Sequence, residues 1–156
     1  MEELRTLFIS MLPIGELRVG IPIAVVVYKL PIWSAFFWAF IGNLIPIFFI
    51  IKGLDLLINK LLIHRIYIFN RFFTWLFERT RRKHSHLVEK WQDLALMIFV
   101  AIPLPGTGAW TGALIAFVFG IPLKRAFPAI AAGVLIAGIV VSLITLGIIN
   151  LPFIKI

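Results

Sequence analysis

The chain has 156 residues, of which 62% are hydrophobic and only 14% are charged, and its mean hydropathy is +1.06. A water-soluble domain of this size does not carry so apolar a composition, so we expect one integral membrane domain. The 15 lysines and arginines exceed the 7 acidic residues, which gives a net charge of +8. Because the sequence has no cysteine, disulfides, thiolate chemistry and cysteine-ligated metal sites are excluded.

Four apolar blocks follow one another along the chain, at about residues 7–28, 30–51, 94–119 and 126–149. Each block is long enough to cross about 30 Å of hydrocarbon as a helix. The first block has neither a basic leader nor a small-residue cleavage pattern, so no cleavable signal peptide is predicted. We expect a multi-pass protein of the inner or plasma membrane.

The first block is interrupted by the stretch "LPIGELRVGIP", in which two charges lie among helix breakers. A charge at the bilayer centre costs at least about 2.5 kcal/mol, so Glu16 and Arg18 should pair or face water. One interpretation makes Glu16 a proton acceptor or cation ligand, with Arg18 as its partner or as the counter-ion of a phosphate-bearing head group. The other is a purely structural ion pair. The predicted tip residues are Pro13, Gly15, Gly20 and Pro22.

The second block is a cleaner apolar segment that carries one amide, Asn43. We expect Asn43 at the same depth as the two charges, where it could donate a hydrogen bond to either. A hydrogen bond between two helices is an equally good explanation of its presence.

The middle of the chain is basic, with nine lysines and arginines between Lys52 and Lys90. Such an excess marks the cytoplasmic side of a membrane protein, and for the same reason a nucleic-acid partner is not expected. Apolar residues recur at helical spacing in the first part of this segment: Leu62, Ile66, Phe69, Phe73 and Leu76. The pattern predicts an amphipathic basic helix in the head-group layer, within a connector of about residues 53–92.

An internal repeat is indicated when the chain is shifted by 91 residues. The shift aligns Pro31 with Pro122, Gly42 with Gly133, and Gly15 with Gly106, while Gly20 matches Gly112 one residue out of step. The informative matches are those of prolines and glycines, because apolar residues often match one another by chance. The predicted repeats cover about residues 6–52 and 93–150.

The second repeat is interrupted by "IPLPGTGAWTG", which carries no arginine. Its side chains with hydrogen-bonding or aromatic groups are Thr107, Trp110 and Thr111, which we take as candidate substrate contacts. Trp110 could form a hydrophobic gate or pack against the facing hairpin. The predicted tip residues are Pro103, Pro105, Gly106, Gly108 and Gly112.

Each interrupted segment could span the membrane as a kinked helix or enter it as a re-entrant hairpin whose tip reaches the middle. A hairpin plus one crossing forms a unit whose second copy is inverted, as in many transporters. Hairpins also place Lys124 and Arg125 on the same side as the basic connector. The sequence therefore favours an all-α membrane protein with an inverted repeat of a re-entrant hairpin and a transmembrane helix.

The patterns "LPIGELRVGIPIA", the following "IGN", and "IPLPGTGAWTGALIAFVFG" resemble the small multidrug export family, which looks related to DedA and VTT-domain membrane proteins. The resemblance covers nearly the whole chain and implies paired re-entrant hairpins and transport rather than catalysis. Likeness to DedA proteins implies translocation of a lipid or lipid carrier, proton dependence, and functional hairpin charges, here Glu16 and Arg18. The second hairpin departs from the DedA pattern because it lacks an arginine.

The sequence thus predicts a transporter that moves a small amphiphilic or lipid-like substrate between two hairpin tips, with coupling to protons or a cation left open. No Ser/His/Asp arrangement, Walker loop or carboxylate pair is present, so we expect no enzyme activity, no cofactor and no metal site. The alternative is a membrane scaffold or lipid-surface assembly protein that acts through its basic connector.

Membrane lipids are expected partners, and a homodimer is expected because one chain buries little of its hairpin surface. Small residues of the last apolar block offer faces for close helix approach: Ala131, Gly133, Ala137 and Gly138.

Overall fold

The computed structural model describes residues 1–57, 86–104 and 106–149. Within these ranges the regular structure is entirely helical: α1 (Glu2–Met11), α2 (Glu16–Val26), α3 (Ile32–Leu57), α4 (His86–Ala101), α5 (Ala109–Val118) and α6 (Leu123–Ile149). The expected all-α class is therefore confirmed. Most of the predicted amphipathic connector, at residues 58–85, lies outside the described residues, and so does Pro105.

Two of the helices, α3 and α6, are long and apolar enough to cross a membrane. They contain 26 and 27 residues, and their apolar stretches are Ile32–Leu54 and Leu123–Gly147. Both helices start directly after a proline, Pro31 and Pro122, where proline cannot continue a preceding helix. By contrast, α1, α2 and α5 contain only 10 or 11 residues, or about 15 to 16 Å each, which is half a bilayer.

The interrupted segments break where sequence predicts, but the breaks are shorter than expected. The first tip comprises residues 12–15, between α1 and α2, and the second comprises residues 102–108, between α4 and α5. Gly20 and Pro22 lie inside α2, and Gly112 lies inside α5, rather than at the tips. The two glycines are needed for close packing: a Cβ at Gly20 would overlap Ser10 Oγ, and one at Gly112 would lie 2.6 Å from Val100 Cγ2. Proline is tolerated within a membrane helix that neighbouring helices surround.

Each tip reverses the chain, so that its two flanking helices form a hairpin. Ser10 touches Gly20 across the first tip, whereas ten residues of continuous helix would separate them by about 15 Å. The guanidinium of Arg5 lies 6.0 Å from the Tyr28 ring, which joins the two open ends. The pair α1–α2 is called the first hairpin, and the pair α4–α5 the second.

The turns that lead from each hairpin to its long helix share one geometry. Lys29 and Gly120 both adopt left-handed backbone conformations, with φ of 55° and 67°. In each case the next residue donates its N–H to the preceding helix, Leu30 to Ala24 O at 2.9 Å and Ile121 to Ala116 O at 2.8 Å. Lys29 and Gly120 are 91 residues apart, which is the shift that aligned the two halves of the sequence.

The packing of the two halves also corresponds. The first arm of each hairpin runs along its own long helix, α1 along α3 and α4 along α6. The backbones meet at a glycine each time: a Cβ on Gly42 would overlap the Leu7 carbonyl, and one on Gly133 would lie 2.6 Å from the Met97 carbonyl oxygen. The second arms pack against both halves: α2 contacts α6 as well as α3, and α5 contacts α3 as well as α6. One apolar core therefore joins both halves.

Candidate functional site

The two tips meet through Glu16, the first residue of α2. Its backbone has a φ of +49°, a conformation that costs a non-glycine residue roughly 1–3 kcal/mol and so must be held by its surroundings. The residue is only 6% exposed. Its carboxylate accepts the backbone N–H of Trp110 at 3.2 Å and interacts with the backbone N–H of Ala109. These are the first two N–H groups of α5, which has no side-chain cap from its own Gly108.

Glu16 therefore caps α5 from the other half of the chain. The first N–H groups of a helix lack partners within it, and the positive end of the helix dipole favours an anion. Gly108 makes room for this contact, because a Cβ there would overlap both carboxylate oxygens and the carbon between them. The φ of Gly108 is −78°, so the position requires small size rather than an unusual backbone.

Arg18 contacts the other side of the second tip, where the chain leaves α4. Its guanidinium donates to the carbonyl oxygen of Leu104, to that of Ile102 at 3.1 Å and to Thr107 Oγ1 at 3.3 Å. Thr107 Oγ1 lies 2.6 Å from Ile102 O and 2.8 Å from Leu104 O. The last carbonyls of a helix have no partner within it, and a cation there also complements the helix dipole. Arg18 and Thr107 together stabilise the chain just after α4.

The pairing of the two charges differs from the prediction. Glu16 and Arg18 form no ion pair with each other in the part of the chain that the structure describes, although they interact electrostatically. Each instead bonds to the second tip, where interrupted helices leave strong backbone donors and acceptors. Sequence reasoning weighed the two side chains against each other and did not consider these backbone groups as partners.

The remaining predicted site residues are distributed around this junction. Thr111 follows Trp110 in α5 and is half-buried, while Asn43 is buried in α3. Among the described residues, neither amide atom of Asn43 has a hydrogen-bond partner, nor does the indole Nε1 of Trp110. Pro13, Gly15, Pro103 and Gly106 form the turns of the two tips.

Three groups at or near the junction of the tips were not predicted from the sequence. They are the carbonyls of Ile102 and Leu104, and Ser10, whose hydroxyl is fully buried between α1 and α2. The two carbonyls could not be predicted because every residue type has a backbone carbonyl. Ser10 was detectable as a hydroxyl on an otherwise apolar helix.

Two apolar cavities lie elsewhere, between α3 and α6. The larger has a volume of about 570 Å³ and is lined by Ile32, Trp33, Phe36, Phe37, Ile139, Ser142 and Leu143. The smaller has a volume of about 290 Å³ and is lined by Ile41, Leu44, Ile45, Phe48, Phe49 and Phe127. Neither is lined by Glu16 or Arg18. In the described ranges no three His, Cys, Asp or Glu side chains converge as they do in a typical zinc site.

The described residues form only helices, with two helices of membrane length, two apolar hairpins and a buried carboxylate at their junction, which are features of a membrane protein. Residues 16–140 match the family described as "Putative small multi-drug export protein", and the chain belongs to this family. The resemblance to small multidrug export proteins is thus confirmed, and it identifies membrane transport as the general activity. No curated protein and no solved structure gave a match. The relation to DedA and VTT-domain proteins stays a prediction.

Proposed function

We propose that the protein exports a small amphiphilic or lipid-like substrate, and that the substrate passes between the tips of two re-entrant hairpins. The family supports export as the activity. The location of the transport site is inferred from the junction of the tips, where Glu16 bonds to the start of α5 and Arg18 to the chain just after α4. Buried ionisable groups in a membrane protein generally belong to the transport path, because their burial is costly otherwise.

An inverted repeat is the arrangement that this proposal requires. Its support is the correspondence of the turns at Lys29 and Gly120 and of the close contacts at Gly42 and Gly133. A hairpin of two 15 Å arms returns to the side from which it entered, so only α3 or α6 crosses in each unit. The two units then have opposite orientations, and their tips approach each other near the bilayer centre.

The contacts at the junction indicate how a substrate would be recognised. When the tips separate, Arg18 and the N–H groups of Ala109 and Trp110 become available to an anionic or polar head group. The apolar cavities between α3 and α6 can hold the tail of the same molecule. A head group and an apolar tail together define an amphiphile, which is the substrate class that we propose.

Coupling to a proton or another cation would act through Glu16. Neutralising its carboxylate weakens the charge-assisted bond to α5, which favours separation of the tips. Binding of a cation on one side of the membrane could in this way be linked to opening on that side.

Reconstitution into vesicles tests this proposal. We expect the wild-type protein to move fluorescent lipid or amphiphile analogues between leaflets, and Glu16→Gln to lose this activity at normal abundance. Glu3→Gln, at an acidic residue that is half-buried and away from the tips, is the matched control and should remain active. Absence of flux from the wild-type protein would refute the transport site. If the double change Glu16→Gln and Arg18→Gln left full flux, these two residues would be excluded as the transport site. The scaffold alternative predicts instead that function follows the arginines of the basic connector.

A further inference from the structure

The buried side chains of the first half of the molecule that carry oxygen atoms include Ser10 on α1, Glu16 on α2 and Asn43 on α3. They are 0%, 6% and 1% exposed. Among the described residues, Ser10 Oγ and both amide atoms of Asn43 have no hydrogen-bond partner. A buried polar group without a partner costs roughly 1–3 kcal/mol, so these three atoms require a physical reason.

The packing of α1, α2 and α3 brings these three residues together. Ser10 Oγ lies against Gly20, and a Cβ on Gly20 would be 3.7 Å from Ala39 Cβ. Because α2 and α3 are joined by a short turn, they run antiparallel, and the residues one turn further from that turn are Glu16 and Asn43. Each therefore lies about 6 Å along its helix from the contact at Gly20, in the same direction. Ser10, Glu16 and Asn43 thus all lie within about one helical turn of the contact at Gly20.

The orientation of Ser10 is unusual for a hydroxyl on a helix. Hydroxyls usually bond to the carbonyl one turn earlier, as Thr6 does to Glu2 O at 2.9 Å and Thr145 to Val141 O at 2.7 Å. Ser10 instead directs its oxygen away from its own helix and toward α2.

The second half of the molecule achieves the same packing with apolar side chains. A Cβ at Gly112 would meet Val100 and lie 3.6 Å from Ile130 Cγ1, which matches the surroundings of Gly20. Val100, which meets Gly112 as Ser10 meets Gly20, is the structural counterpart of Ser10, and Val134 corresponds to Asn43 in the 91-residue alignment. Both valines are 1% exposed. The packing therefore does not need polar groups at these positions, and a structural role alone does not explain them.

We propose that Ser10, Glu16 and Asn43 bind a monovalent metal cation of the size of sodium. Hard cations are bound by carboxylate, amide and hydroxyl oxygens, which is the set that these three side chains supply. A carboxylate has roughly four acceptor positions, so Glu16 can bind a cation while it caps α5. Arg18 repels a cation at Glu16 electrostatically, but its guanidinium is directed to the carbonyls of Ile102 and Leu104 and forms no ion pair that occupies the Glu16 carboxylate. This inference deepens the proposed function by naming its coupling ion.

A proton would need only Glu16 and would leave Ser10 and Asn43 without a ligand. Buried water would satisfy both groups without any dependence on the kind of cation. The choice among sodium, a proton and water can therefore be made by measuring cation-specific stabilisation.

The test is thermal unfolding of the full-length protein in detergent, in sodium, potassium or choline chloride at constant ionic strength and pH. We expect sodium to raise the melting temperature in a saturable manner that choline does not reproduce. The double change Ser10→Ala and Asn43→Val replaces both polar side chains with apolar ones. The second half of the molecule is apolar at the corresponding positions, Val100 and Val134, so the variant should fold. It should raise the half-saturating sodium concentration at least about tenfold, the smallest loss usual even for an outer-shell metal partner. Ser142→Ala removes a buried hydroxyl that faces the larger cavity, and should leave the sodium effect unchanged.

Equal melting temperatures of the wild-type protein in sodium and choline, or a sodium effect that persists in the double variant, would overturn the site. If the double variant fails to fold, the single changes Ser10→Ala and Asn43→Val are measured in the same way and are judged by the same criterion. Because this measurement needs no substrate, it is independent of transport. Flux without a sodium effect would refute the cation site alone, and a sodium effect without flux would refute the proposed function alone.

Discussion

At the scale of single residues, the junction of the tips depends on charges that replace missing helical hydrogen bonds. Glu16 bonds to the start of α5 and Arg18 to the chain after the end of α4, so each charge faces the helix end of complementary sign. A charge that is hydrogen-bonded tolerates burial far better than an isolated one. Both residues therefore have a structural role in addition to the transport role that we propose.

Substitutions of Glu16 separate these two roles. Glu16→Gln keeps the side-chain volume and an oxygen that can accept the Trp110 N–H, so we expect near-normal stability and loss of coupled transport. Glu16→Ala removes that acceptor as well and should lower the free energy of unfolding by about 0.5–2 kcal/mol, as for other lost helix caps. Membrane abundance, thermal unfolding and vesicle flux of both variants check this prediction. Equal stability of the two variants would contradict the capping role.

Gly108 provides a second prediction, because its small size admits the Glu16 carboxylate. Gly108→Ala should displace that carboxylate and destabilise the protein by roughly 1–3 kcal/mol, the usual cost of overpacking. Gly53→Ala is the control, since a Cβ there would meet no described atom within 4 Å, and alanine is favoured within a helix. Thermal unfolding of both variants gives the comparison. A Gly108→Ala protein as stable as the Gly53→Ala protein would exclude the contact.

The importance of Glu16 and Arg18 could be predicted from the sequence, but their partners could not. Two charges among glycines and prolines in an apolar segment are a clear signal, because lipid penalises them. Their observed partners are mainly backbone atoms about 90 residues away, and every residue type has such atoms. Only the fold determines which of them are left without helical bonds.

At the scale of helices and hairpins, the conformation of the second tip is stabilised by the side chain of Arg18. Arg18→Lys keeps the charge but loses the planar group that reaches Ile102 O, Leu104 O and Thr107 together. We expect faster hydrogen exchange at residues 106–112, because losing one charge-assisted bond costs roughly 1.5–3 kcal/mol. Exchange in α3 should not change. Unchanged exchange at residues 106–112 would show that Arg18 does not support the tip.

The position of the breaks was predictable because proline and glycine disfavour helix, but their extent was not. Gly20, Pro22 and Gly112 have the composition of a tip and yet lie within helices. Tertiary packing determined the outcome: a glycine was required where two helices approach closely, and the sequence alone does not separate that need from a need for a turn.

Membrane topology gives a prediction that distinguishes hairpins from spanning helices. If the second hairpin is re-entrant, Lys90 and Lys124 lie on the same side of the membrane, whereas a spanning segment separates them. The ion pair between Asp93 and Arg125, with contacts of 2.9 and 3.0 Å, supports the same side. The chain has no cysteine, so Lys90→Cys and Lys124→Cys can each be labelled with a membrane-impermeant reagent. Lys29→Cys is the control and should be reached only from the other side; opposite labelling of Lys90→Cys and Lys124→Cys would contradict re-entrance.

At the scale of the whole molecule, the homodimer remains a prediction, but the faces first considered for it are used within one protomer. A Cβ on Gly138 would lie 2.6 Å from the Phe36 ring, Gly133 contacts Met97, and Ala137 is buried. Larger apolar side chains on the outside of α6 are exposed instead: Leu135, Ile136, Ile139, Leu143 and Ile144.

Light scattering in several detergents should give the mass of a dimer. Gly138→Ala should lower the melting temperature of each protomer without dissociating the dimer, because its packing is internal. Leu143→Ala, at an exposed position on α6, is the comparison and should affect stability less. A monomer mass in every detergent would refute the dimer.

The capping of the second tip by the first has a consequence for biosynthesis. Glu16 and the Trp110 N–H that it accepts are 94 residues apart, so at about 5–20 residues per second the ribosome delivers the partner roughly 5 to 20 s later. During that interval the nascent first hairpin holds a carboxylate and a guanidinium without their final partners. The first half of the nascent chain should therefore remain near the insertion machinery until the second half emerges. A prematurely terminated chain would expose two uncompensated charges to membrane proteases.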